Sequence, residues 1–141
     1  MQVLIADGDK EFLELERRFL SQCGHDVLVA SDGLEGASVL RDFSPDVVVL
    51  DCGILWGGSD GVVALMLEDP RLSQTPVILV ADVDPRARYK DIVEWMVVGW
   101  LRKPFGMNEL LAQITNHLSF CELPNRRRAV PKLEIFAGVE Q

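Results

Sequence analysis

Pro45-Asp46-Val47-Val48-Val49-Leu50-Asp51 is the stretch whose reading decides the fold. Four consecutive aliphatic residues, fenced by a proline and aspartates, form the most continuously apolar segment of the chain. A strand with one face in water alternates apolar and polar side chains. An unbroken apolar run of strand length instead fits a strand covered on both faces, as in a parallel sheet flanked by helices.

The sequence on either side agrees. Upstream, Leu34, Ala37 and Leu40 mark a helix closed before Pro45, and Val27-Leu28-Val29-Ala30 reads as a strand. Before that strand, Phe12, Leu15 and Phe19, with Leu13 and Leu20 offset, face away from Glu11, Glu14, Arg17 and Arg18. This is an amphipathic helix, with Asp9 placed to cap it and Gly24 to end it. Val3-Leu4-Ile5-Ala6 is the first strand. Downstream, Gly57-Gly58 and Gly61 suggest a loop, followed by a helix over 62–68 stopped by Pro70. Val77-Ile78-Leu79-Val80 follows Pro76 as a fourth strand. Pro85 opens a helix with Tyr89, Ile92, Val93 and Met96 as its stripe. The segment 97–101 is a glycine-interrupted fifth strand, and Met107, Leu110, Leu111, Ile114 and Leu118 give a last helical face. Five strands alternating with five helices predict an α/β domain with a five-stranded parallel sheet covered on both sides.

Composition narrows the function. At 141 residues, with 48% apolar and 26% charged side chains, the chain has the makings of one globular domain rather than a disordered segment. The net charge of -8 argues against a nucleic-acid or anionic-membrane binder, because a phosphate backbone needs a cationic footprint. Residues 121–141 carry four Lys/Arg against three Asp/Glu, which leaves ten against nineteen in residues 1–120. The acidity therefore belongs to the folded part. Three cysteines (Cys23, Cys52, Cys121) without CxxC spacing, and two histidines, make neither a metal framework nor a disulfide scaffold. With no basic leader and no apolar run of membrane length, the expected setting is cytoplasmic and soluble. The domain is expected to occupy residues 1–121, and residues 122–141 to be a tail that docks back or dimerises.

In such sheets the working site lies beyond the carboxyl ends of the strands, where the strand order reverses. Asp7 and Asp9 follow the first strand, Asp51 the third, Ala81 and Asp82 the fourth, and Lys103 the fifth. Each aspartate alone reads as a turn or helix cap. Together they place several carboxylates and one ammonium on a single edge.

At these residues the chain resembles the receiver domains of two-component response regulators. The resemblance covers about residues 2–120 and rests on the 45–51 stretch and on Lys103-Pro104-Phe105, each following a strand. It implies a flavodoxin-like (βα)5 doubly wound sandwich of the CheY-like kind, and a signalling domain rather than an enzyme. It also implies that Asp51 accepts a phosphoryl group from a histidine kinase or phosphotransfer protein. Mg²⁺ would be held by Asp7, Asp51 and the Gly53 carbonyl, and Lys103 would bind the phosphoryl oxygens. A carboxylate attacking a phosphoryl group brings two anions together, so a cation must offset their charge. Lys103-Pro104 resembles a dipeptide that is cis in the family, which would aim the lysine inward.

The pattern is broken at three places. Gly8 stands where the second metal carboxylate is usual. Asp9, one residue on, has two readings, as helix cap or as an added metal ligand. Ala81 stands where a hydroxyl would couple the phosphoryl group to the surface. The loop Cys52-Gly53-Ile54-Leu55-Trp56-Gly57-Gly58-Ser59-Asp60-Gly61 is two residues longer than the family turn, with Leu55 in place of proline and Trp56 set above the pocket. A fourth position, the aromatic switch, is matched by Trp100, read either as filling space over Ala81 or as packed at the sheet edge.

Cys52 reads as packing, His25 and His117 as surface or cap residues, and Arg126-Arg127-Arg128 as a solvated linker. Three functions are thereby weighed: a phosphoacceptor receiver, a receiver-shaped docking module independent of phosphorylation, and a small nucleotide-binding enzyme. The last lacks both a Gly-x-Gly-x-x-Gly turn and a Gly-Lys-Ser/Thr phosphate loop. The residues past the last helix are too few for an output domain, so the signal is expected to pass to a separate output protein or a homodimer mate.

Overall fold

The computed structural model describes residues 1–55, 57–85 and 96–122, and side chains as far as 117. The elements run β1 (Gln2–Ala6), α1 (Lys10–Gln22), β2 (Asp26–Ala30), α2 (Gly33–Asp42), β3 (Val47–Asp51), α3 (Gly58–Glu68), β4 (Val77–Ala81), β5 (Val97–Arg102) and α4 (Met107–Glu122). The sheet is parallel throughout, in the order β2-β1-β3-β4-β5. All five predicted strands are present. The helix expected to start at Pro85, together with Trp56 and the tail beyond 122, lies outside the described residues.

β3 is buried at every position, as its unbroken apolar run requires. Successive side chains of the strands feed two separate cores. Leu4, Ala6, Val48, Leu50 and Leu79 pack with Leu40 of α2 and with Val62, Val63 and Met66 of α3. Val3, Ile5, Val47, Val49, Ile78 and Val80 pack on the other face with Leu13 and Leu20 of α1 and Leu110 and Ile114 of α4.

Local chemistry sets the helix ends. Asp9 caps α1, its carboxylate accepting from the Phe12 N–H, and Asp32 caps α2 in the same way on Glu35. Gly24, at φ +95°, closes α1 in the left-handed conformation that glycine adopts at little cost.

Three expectations need correction. The helix predicted over 62–68 starts earlier: Gly57, at φ +94°, turns the chain, and Gly58 to Gly61 form the first helical turn. Asp60 there complements the helix dipole, and the Gly61 N–H already donates to the Gly57 carbonyl. Leu15 is 55% exposed, and the buried stripe of α1 is Leu13, Glu16 and Leu20, whose 3- and 4-residue spacing follows the helical repeat. Leu34 is likewise exposed, with Gly33, Gly36 and Leu40 turned inward. Met96 immediately precedes β5, fully buried, with its carbonyl accepting from Val77 N–H; the rest of the helical stripe expected with it lies outside the described residues. Among the described residues no helix is long and apolar enough to cross a membrane.

Candidate functional site

The strand order reverses between β1 and β3, so the crevice lies where those strands end. Asp7 follows β1 directly and is 3% exposed. Its N–H donates to the Ala30 carbonyl (3.0 Å), and its Oδ1 accepts from the Asp9 N–H (2.9 Å). Asp51 closes β3 at 7% exposure, and its Oδ1 accepts from the Gly53 N–H at 3.0 Å. Backbone bonds fix the neighbouring strand ends, Cys52 N–H to the Val80 carbonyl (2.8 Å) and Lys103 N–H to the Ala81 carbonyl (2.9 Å). The Lys103–Pro104 bond is cis. Lys103 Nζ lies 3.1 Å from Asp51 Oδ2. A cavity of about 330 Å³ opens there, lined among others by Asp51, Gly53, Ala81, Asp82 and Lys103.

The electrostatics follow from this crowding. Burial raises the Asp7 carboxyl above its ordinary value; the Asp9 N–H works against that, and the charge of Asp51 adds to it. For Lys103 burial favours the neutral amine. The hydrogen bond and charge of Asp51, and then the charges of Asp7 and Asp82, outweigh it and raise the ammonium above its usual range. The site is an anionic crevice with one cation already drawn in.

Asp7, Asp51, Gly53, Ala81 and Lys103 thus come together as expected. Asp9 does not point to the same chemistry: its Oδ1 accepts from the Phe12 N–H at 3.1 Å, the work of a cap. Gly8 is exposed and its φ is not left-handed; the nearest atom to an added Cβ is the Ser31 carbonyl oxygen at 3.9 Å. Trp100 pairs with Leu79 in register and lines a separate hollow of about 710 Å³ with Arg102, Glu109 and Gln113. Its register partner Leu79 packs in the α2–α3 core while the flanking Gly99 and Leu101 face α4, so Trp100 stands on the sheet face that Leu79 and Ala81 share. Cys52 is a half-buried thiol against the α2–α3 core, as read. His25 and His117 are half-buried rather than surface groups, and burial lowers both below the ordinary imidazole value.

Two carboxylates, Asp7 and Asp51, share the crevice, and each raises the cost of the other's charge. A divalent cation would relieve that repulsion, so the pair fits one. The described residues hold no group of three or more His, Cys, Asp or Glu arranged for a metal. The position that could supply a third carboxylate is Gly8, and Asp9 is committed to the helix.

One residue near the site escaped the sequence reading. Glu16 sits in the buried stripe of α1, 1% exposed, unlike Glu11 and Glu14 on the solvent face. The 13–16–20 spacing was the available signal.

The response regulator receiver domain model matches residues 3–115. The chain is 35% identical over 116 residues to the transcriptional regulatory protein CpxR of Klebsiella pneumoniae, covering 80% of this chain and 47% of that protein. It is 30% identical over 115 residues to the hybrid signal transduction histidine kinase D of Dictyostelium discoideum, covering 81% of this chain and 7% of that protein. The chain thus spans about half, or much less, of the length of these relatives. The chemotaxis response regulator CheY4 of Vibrio cholerae superposes with a TM-score of 0.74 at 21% identity, over 82% of this chain and 96% of that one, and so shares the fold. Sheet order, crevice, Asp51–Lys103 pair and family match agree: the chain belongs to the response regulator receiver domains of two-component signalling.

Proposed function

We propose that Asp51 is the phosphoryl acceptor of this receiver domain and that it takes its phosphoryl group from the histidine of a kinase or phosphotransfer protein. The observation that carries this reading is the Lys103 ammonium 3.1 Å from Asp51 Oδ2 at the mouth of an accessible cavity. Attack by an Asp51 oxygen on phosphorus forms the P–O bond as the bond to the imidazole nitrogen breaks. Lys103 is placed to neutralise charge on the phosphoryl oxygens, and the Gly53 N–H steadies the other carboxylate oxygen. Mg²⁺, held by Asp7, Asp51 and the Gly53 carbonyl, would supply the charge neutralisation that lets two anions meet. With Gly8 contributing no carboxylate, we expect a site weaker in Mg²⁺ than one with three acidic ligands. The domain then signals through contacts with a separate output protein or a second copy of the chain, in a cytoplasmic setting.

Ala81 favours a second reading. No hydroxyl at this position can donate to an acyl phosphate, so the step that couples the phosphoryl group to the neighbouring surface lacks its donor. A domain of this kind docks a partner without switching.

Incubation with a small acyl phosphate and millimolar Mg²⁺, followed by intact mass measurement, separates the two. A phosphoryl-sized mass gain that disappears in Asp51→Asn supports phosphoacceptance. No adduct, together with no Trp fluorescence response to Mg²⁺ and beryllofluoride, overturns it in favour of constitutive docking. Gly8→Asp with Ala81→Thr tests whether those two positions are the missing parts.

A further inference from the structure

α1 packs on β1, β2 and α4 through Leu13, Glu16 and Leu20. Leu13 and Leu20 belong to the apolar core on that face of the sheet. Between them, two turns below the Asp9 cap, Glu16 is 1% exposed, and its Oε1 is buried without a hydrogen-bond partner. The adjacent Leu15 faces solvent at 55% exposure. An acidic residue thus occupies a core position while a leucine is left outside. Ionised, the carboxylate would hold charge on an oxygen with neither water nor a bonded partner, a costly way to bury it. The uncharged acid is far cheaper to bury.

We propose that Glu16 is held as an uncharged carboxylic acid between α1 and the sheet. The groups acting on it support this. Burial first, then the charges of Asp7 and Asp51, push Glu16 up to about 8, Lys103 opposes them, and Asp9 adds a small push upward. The other described titratable groups on elements packed against α1 are Asp26 of β2 and Glu109 and His117 of α4. The inference stands on the burial of Glu16 and not on phosphorylation of Asp51.

The sign follows from linkage. The folded-state value lies above the unfolded one, so the stability from this group is complete below the ordinary glutamate range. It is lost as pH rises toward about 8 and changes no further above that. Across the window, unfolding releases up to one proton from Glu16, and the folding equilibrium constant falls by up to about tenfold per pH unit. Glu16→Gln keeps the shape of the uncharged acid and removes the proton.

The test is carbon-detected NMR of the glutamate carboxyls, with the Glu16 signal assigned by its loss in Glu16→Gln. We expect its midpoint near 8. A midpoint in the ordinary range near 4 to 5 overturns the buried acid. Denaturant unfolding at pH 5 to 9 supplies the second measurement. The wild-type stability curve should fall relative to Glu16→Gln and Glu16→Leu up to about pH 8 and then run parallel to them, whereas parallel curves throughout overturn the proposal.

Discussion

Lys103 Nζ stands 3.1 Å from Asp51 Oδ2, although the two residues stand at the ends of strands separated by β4. Asp51 is almost fully buried and Lys103 about one-third exposed, so the aspartate depends on the pair more than the lysine does. Lys103→Met leaves a buried carboxylate facing Asp7 without its cation. The expected loss is about 1–3 kcal/mol, below the range for fully buried pairs because water reaches Lys103. Adding Asp51→Asn should recover most of it, and denaturant midpoints of the two single variants and the double variant measure the coupling.

Asp7→Asn should stabilise the domain while weakening Mg²⁺. The asparagine oxygen can still accept from the Asp9 N–H, and repulsion with Asp51 disappears. A gain of about 1 kcal/mol near neutral pH is expected. The folded Asp7 carboxyl is raised, so its stability contribution is complete below the ordinary aspartate value and is lost as pH rises through the folded value. The gain should therefore shrink in acid. Thermal unfolding at several pH values, beside Mg²⁺ titration, checks both halves.

Asp9→Ala distinguishes cap from ligand. Loss of the bond to the Phe12 N–H should cost about 1 kcal/mol of stability. Mg²⁺ affinity should stay within about twofold, equivalent to about 0.4 kcal/mol. A larger fall in affinity than this would restore Asp9 to the metal site.

Gly99→Ala probes how β5 meets α4. A Cβ on Gly99 would come within 2.3 Å of Gln113 Oε1 and 3.3 Å of His117 Nε2, so the Gln113 side chain must move. Because the atom that must move ends a flexible side chain, a cost below about 1 kcal/mol is expected, and Gln113→Ala in the same chain should remove it in a double-mutant cycle.

The α/β class was legible in the sequence because burial on both faces writes itself as an unbroken apolar run, as in 47–50. Strand–helix alternation then leaves little choice of architecture. The crevice was legible too. Asp7, Asp51 and Lys103 each follow a strand directly, and parallel strands end on one edge.

What the linear pattern could not decide was which way neighbouring side chains turn. On α1 the choice between Leu15 and Glu16 rests on a rotation of one residue, about 100°, and only packing against β1, β2 and α4 set it. The capping role of Asp9 became visible only once its carboxylate met the Phe12 N–H. Trp100 could be placed on the sheet face of Leu79 and Ala81, away from α4, only after β4 and β5 came into register. Chain order established which residues reach the strand ends; the three-dimensional packing decided which charges stay in water, which are paired, and which, like Glu16, are buried as acids.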